Sequence, residues 1–168
     1  QKVATDLKGF GRGAETLTAL RSMDSRLQGF IATGETVKAR LETQALSLDR
    51  VADAAQGARD AIAQALAAGR FDGLMLDLQG QYLAAQGGLS AKHQGAYLFA
   101  GARTTEAPVT ADTLADLAAA PDIDSVFVND TLKSASRLDE SVTLTTGFLA
   151  DEIGGPLLAV FRALQEYH

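Results

Sequence analysis

Cysteine is absent from the 168 residues, which excludes disulfides and thiolate chemistry. Histidine is nearly as scarce. His93 and His168 are the only two, and neither has a second histidine or a carboxylate at ligand spacing on a helix, so each reads as a solvated helix end. Basic residues number 15 against 21 acidic ones, giving a formal net charge of -6 and a pI near 4.8. With its Lys and Arg dispersed, the chain lacks the clustered positive charge that releases counterions from phosphate, which argues against a nucleic-acid partner. Long apolar runs are missing too. None approaches the ~18 residues of a membrane span, and no charged segment followed by an apolar one stands at the start, so neither a membrane nor a Sec-type signal is indicated.

What is present is a hydrophobic content of 46%, enough for the core of one domain of ordinary size. Much of it is alanine, so the core is expected to be spread along a seam rather than gathered in one centre. That seam is a seven-residue apolar repeat. Leu20, Leu27, Gly34, Leu41, Leu48, Ala55 and Ile62 form one line of it, and Met23, Phe30, Val37, Gln44, Val51, Ala58 and Ala65 form the second. These positions share one face of a helix whose partner is another helix. A helix covering the repeat is roughly 69 Å long, against about 40 Å for a compact globule of this length. The expected fold is therefore mainly α with a small β part, an elongated antiparallel helical rod with short strands or a hairpin at one end. Such a shape suits a spacer or an assembly subunit more than a small-molecule pocket.

Along the chain, residues 8–13 are too glycine-rich for a stable helix and read as a turn or hinge. The long helix is expected over 14–68, with Gly69 as a left-handed stop and a bend near Gly29 to Gly34. A second helix, over 72–94 with Asp72 as its N-cap, places Phe71, Leu74, Met75, Leu78, Tyr82, Ala85 and Leu89 on one face. The short link makes the two helices antiparallel neighbours. Residues 95–149 read as irregular with short strands. Tyr97 to Ala100 form a strand or tight loop, and a helical segment runs from Asp112 to Ala119 with Thr110 or Asp112 as its cap. Strands follow around Val126 and Val128, Leu132 and Leu138, and Val142 and Leu144, with a hairpin turn at Asp139-Glu140. A returning helix, 155–168, begins at Gly155-Pro156 and carries Leu157, Val160, Phe161 and Leu164. The sequence starts at Gln1 rather than methionine and stops within that helix, so it reads as a single domain of a longer protein whose terminal helices are not included.

Each grouping that invites chemistry has a plainer reading. Gly9-Phe10-Gly11-Arg12-Gly13 resembles a phosphate loop only in its glycines, because no Gly-Lys-Ser/Thr follows and no strand precedes. Asp122-Ile123-Asp124 has carboxylates at a calcium-loop offset but lacks that loop's glycine and final glutamate. The pairs Asp139-Glu140 and Asp151-Glu152 are neighbours in sequence and cannot face one another across a cleft, as acid and base must. No serine has a plausible base beside it, and Asn129-Asp130-Thr131 matches a glycosylation sequon of the kind common by chance. No catalytic, metal-binding or cofactor-binding residue is assigned, and no cofactor is expected.

One segment is specific. Gly95-Ala-Tyr97-Leu98-Phe99-Ala-Gly101-Ala-Arg-Thr104, followed by Pro108, resembles a motif of the bacterial flagellin superfamily, most like its hook-filament junction members of the FlgL type. There the pattern is approximately Gly-x-Tyr-Leu-Phe-x-Gly-x-x-Thr, three variable residues, then Pro-Phe, placed after a helical hairpin. Val109 stands here for the final phenylalanine, a departure that bears on the choice among relatives. Residues 23–65 with 71–89 are similar to the paired helices of that family's rod domain, and Ala150-Asp151-Glu152-Ile153-Gly154 leads into a returning helix as its C-terminal arm does.

The resemblance implies a structural subunit of the flagellum, an adaptor between hook and filament, exported without a cleaved Sec signal to the cell exterior. It implies self-association and contact with other axial proteins, namely a hook-associated protein and flagellin, with an export chaperone as a further partner. The motif residues are given a structural role even within the family, as are the seam residues Leu20, Leu27, Phe30, Val37, Leu41, Leu48, Val51 and Ile62. A flagellin that builds the filament itself is one alternative reading, and a helical sensory or signalling ectodomain is another.

Overall fold

A computed structural model describes the backbone of residues 2–167 and side chains from 8 to 167, so His168 lies outside the described residues. Helices α1 (Lys2–Ala68), α2 (Leu74–Leu89), α3 (Leu114–Ala119) and α4 (Ala150–Glu166) carry most of the chain. Strands β1 (Lys92–His93), β2 (Ala96–Tyr97), β3 (Ala135–Arg137) and β4 (Thr143–Thr145) form two small two-stranded sheets, β1 with β2 and β3 with β4. The fold is mainly α with a small β part and one long helix. It divides into two compact units, Gln1–Lys38 with Ser136–Leu144, and Ala39–Ala135 with Thr145–His168.

In the first unit α1 is already helical at Lys2, and the expected hinge at 8–13 is continuous helix. Glycine lowers helix propensity by about 1 kcal/mol per residue but does not forbid helical dihedrals, and nothing approaches a Cβ placed on Gly9, Gly11 or Gly13. The same helix runs through Gly29 and Gly34. Its threonines are accommodated by local bonding: Thr16, Thr18, Thr33 and Thr36 each donate their hydroxyl to the carbonyl four residues back, at 2.9–3.0 Å. The ribbon of residues 136–144 turns at Asp139-Glu140, as the sequence suggested. Leu138 N–H donates to Val142 O (2.9 Å), and the Asp139 carboxylate accepts from Glu140 N–H (2.6 Å).

The second unit opens on the remaining turns of α1 and the antiparallel arm α2. Gly69, at φ 62°, ends α1 where expected, and Arg70 N–H reaches back to Ala65 O (3.1 Å). The two arms run antiparallel: Gly57 faces Gln81, while Gly88 faces Val51 and the Ser47 carbonyl. The buried stripe on α1 is Gln44, Ser47, Val51, Ala54, Ala58 and Ala65. Gly73 rather than Asp72 caps α2, in the left-handed region at φ 83° and without a side-chain hydrogen bond. The arm also ends at Leu89, short of residue 94. There the chain enters a β1–β2 hairpin in register Lys92↔Tyr97 and His93↔Ala96. Its two turn residues, Gln94 (φ 51°) and Gly95 (φ 80°), are both left-handed, which matches the twist of a two-residue hairpin.

Several later elements differ from expectation for local reasons. Thr113, not Thr110 or Asp112, caps α3 through a capping box with Asp116. Asp122 accepts from Ser125 N–H (2.8 Å) and starts a 3-10 turn over Asp124–Val126 where a strand was expected, leaving Val109↔Phe127 as an isolated bridge. Leu132 is not in a strand. Helix α4 begins at Ala150 rather than Gly155, with Asp151 and Glu152 favouring its positive N-terminal end and Pro156 inside it. Burial concentrates where α2, α3 and α4 meet, at Leu78, Tyr82, Leu89, Leu114, Leu117, Leu158 and Phe161, each side chain contributing about 1.5–3 kcal/mol.

Candidate functional site

The residues of the Tyr-Leu-Phe motif lie together in the second unit, at the point where most of its elements are tied. Gly95 forms the hairpin turn. Tyr97 N–H donates to Thr104 O (2.9 Å), and Leu98 N–H donates to Ala91 O (3.0 Å), which folds the segment against the end of α2. The Tyr97 ring lies beneath the Lys92 ammonium, 4.5 Å from its centroid. Phe99 is wholly buried, and its carbonyl accepts from Ala150 N–H (2.9 Å), one of the orphan donors at the start of α4. Pro108 is buried and its carbonyl accepts from Val128 N–H (3.0 Å). One run of chain thus secures the hairpin, the 109–128 segment and the returning helix.

Gly101 and Asp130 complete the node. Gly101 sits at φ +67°, and a Cβ there would lie 2.0 Å from Asp130 Oδ1, so only glycine fits. That oxygen accepts from Ala102 N–H and Leu132 N–H, both at 2.9 Å. These backbone donors, Ala102 first and Leu132 next, outweigh desolvation and with Arg103 hold the Asp130 carboxyl below its ordinary value. A carboxyl whose folded pKa is depressed contributes stability that is present above the unfolded value, about 3.9, and is lost as pH falls through the folded one. Asp130→Asn is therefore expected to flatten the acid limb of a stability-pH curve below about pH 4, read by urea midpoints. An unchanged limb would remove Asp130 from the node.

Beside the motif, Tyr82 on α2 donates its hydroxyl to Ala111 O (2.6 Å) and meets Phe161 of α4 edge-to-face, at 5.7 Å between centroids. Burial, then the charges of Asp116 and Asp112, push the phenol well above its ordinary value. The unfolded chain therefore loses this proton first, and stability falls as pH rises above about 10. Tyr82→Phe is expected to cost about 1–2 kcal/mol by stranding the Ala111 carbonyl and to lose its share of the alkaline slope. Denaturant titrations at neutral and alkaline pH check both effects.

The seam residues separate. Val37 and Val51 are buried, and Phe30, Leu41, Leu48 and Ile62 are half-buried. Leu20 and Leu27 remain 57% and 59% exposed, so the expected burial fails at these two positions. Along α1 of the first unit, exposure first falls at Phe30, beyond both positions.

Gly9 to Gly13 are exposed helix. His93 Nδ1 is 3.2 Å from Thr43 Oγ1, an inter-element contact rather than the solvated end expected. Asp151 accepts from Asn129 Nδ2 (2.9 Å), which occupies the amide of the sequon, and Glu152 pairs with Lys133 (2.8 Å). Among the described residues no three His, Cys, Asp or Glu side chains converge as a metal set, and no helix is long and apolar enough to cross a membrane. Two open apolar grooves flank the second half of α4, one of about 200 Å³ lined by Ala55, Ala58, Ile62, Leu157, Val160 and Leu164, and one of about 350 Å³ lined by Phe71, Leu74, Met75, Leu78, Leu164 and Tyr167.

Sequence reasoning missed Asp130 as a backbone anchor, Gln44 as a buried donor to Thr146 O (3.0 Å), and the close-approach glycines Gly88, Gly147 and Gly154. A Gln at a seam position was the available signal for the second of these. No family model and no curated protein matches the chain. Its fold is similar to that of a solved structure of a candidate flagellar hook-associated protein from Vibrio parahaemolyticus, with a TM-score of 0.67 at 20% identity over 88% of this chain and 69% of that one.

Proposed function

We propose that this chain is a structural subunit of the bacterial flagellum that joins hook to filament as an adaptor. The observation that supports the reading best is the Tyr97-Leu98-Phe99 node. The motif that resembles the junction proteins ties the end of a helical hairpin to a returning helix, in a fold similar to that of a candidate hook-associated protein. Its role is mechanical. Packing surfaces rather than reactive groups carry the function, and the partners are copies of itself, a hook-associated protein and flagellin, reached outside the cell after export, with a chaperone before export. Deleting the gene in its own bacterium is expected to leave hooks intact while filaments detach and flagellin accumulates in the medium, as read by electron microscopy and immunoblotting. Filaments still anchored to hooks in the deletion strain would overturn the adaptor role, and long filaments formed by the full protein alone would mark it as flagellin.

A further inference from the structure

In the first unit α1 loses exposure along one stripe. Phe30, Thr33 and Gly34 are half-buried and Val37 is 8% exposed, at three-and-four spacing, while Ile31, Glu35 and Lys38 around them stay exposed. The other segment of this unit is the ribbon of residues 136–144, whose Ser136 and Leu138 are its half-buried positions. Glu140, at the turn, pairs with Arg26 of α1, and both side chains are 61% exposed. No residue from 135 to 145 is buried and none belongs to the hydrophobic core. Val142, just before β4, and Leu144, within it, are 48% and 40% exposed.

The feet of the ribbon, in the second unit, are held differently. Arg40 donates to Ser134 Oγ (2.8 Å) and Gln44 to Thr146 O (3.0 Å). Ser134 O accepts from both Thr146 N–H (2.7 Å) and Gly147 N–H (2.9 Å). Gly147 runs so near residue 134 that an added Cβ would lie 2.2 Å from Ser134 N. Thr146 is 2% exposed. Firm feet and a tip fastened through a solvated charge pair are the arrangement of a strap.

We infer that the 136–144 ribbon is a salt-sensitive strap that opens from α1 without global unfolding and uncovers the Phe30–Val37 stripe. The inference does not depend on the flagellar assignment. Opening breaks the Arg26–Glu140 pair and exposes the stripe but no member of the hydrophobic cluster of the second unit, so its free-energy cost is that of a local transition below the cost of unfolding that unit. Added salt weakens such a pair and shifts the strap toward its open form.

Because the chain has no cysteine, a single thiol reports this opening cleanly. Val37→Cys on the full chain is expected to react with a small maleimide at least about tenfold faster than Ala54→Cys, which reports the second unit's core. Adding Glu140→Gln, or raising salt to about 1 M, is expected to speed the Val37→Cys reaction a further two- to fivefold or so, the range an exposed ion pair supports. The Ala54→Cys rate should not change. If Val37→Cys loses the fold, Thr33→Cys on the same stripe reads the same event. Labelling at the stripe that matches the core rate and ignores both Glu140→Gln and salt would overturn the strap.

Discussion

Phe99→Ala is expected to destabilise the second unit by about 3–5 kcal/mol, the cost of emptying a fully enclosed aromatic site. The ring is 0% exposed and belongs to the cluster that includes Leu89, Val109, Ala150 and Phe161. The backbone there cannot easily collapse into the void, because the Phe99 carbonyl is bonded to Ala150 N–H, the preceding Leu98 N–H to Ala91 O, and the following Ala100 carbonyl to Arg103 N–H. A fixed frame around a lost side chain keeps the cavity open, which places the cost at the upper end. Phe148→Ala is the matched control, since that residue is 45% exposed and its loss should stay within about 0.5 kcal/mol of neutral. Urea midpoints compare the two. Equal midpoints would mean that the motif is not what holds the helices together.

Gly88→Leu is expected to cost at least about 3 kcal/mol, above the usual range for overpacking, because backbone as well as side chain must move. A Cβ at Gly88 would lie 2.7 Å from Val51 Cγ2 and 2.9 Å from the Ser47 carbonyl oxygen, so α1 and α2 would have to separate to admit any side chain. Separation exposes Val51, Ala54 and Leu89 together. Gly80, on the same helix with nothing near its absent Cβ, gives the opposite result: Gly80→Ala should stabilise by about 0.5–1 kcal/mol through helix propensity alone. Thermal melting of the pair separates close approach from propensity. If both substitutions raise the midpoint, the arms do not meet at Gly88.

Periodicity made the helices legible. From Val37 on, the line of the repeat through Gln44, Val51, Ala58 and Ala65 is buried, and Gly69 ends that helix in the left-handed conformation its position suggested. Leu20, Met23 and Leu27 carry the same apolar signal and stay exposed, because a heptad marks an apolar face without supplying the partner that covers it. Boundaries failed where a side chain bonding to backbone decided them. Thr113 and Asp116 capped α3 jointly, and Asp122 turned the chain before Val126. The motif at Tyr97 was visible as a pattern, but its function as a knot was not, since most of the tying is done by carbonyls and amides that carry no residue signature. Asp130 shows the same gap. Its carboxylate is held by two amides that only the folded chain brings to it.

Gln44 occupies a line of the repeat otherwise filled by Met23, Phe30, Val37, Val51, Ala58 and Ala65, yet it is 1% exposed and donates to Thr146 O. Hydrocarbon at every position would let neighbouring segments settle one heptad up or down with little difference in energy. A shift of that kind would strand the amide in an apolar slot and leave the Thr146 carbonyl without its donor. The glutamine thus works as a vernier mark on a smooth scale, giving up a little cohesion so that one alignment among several near-equals is selected.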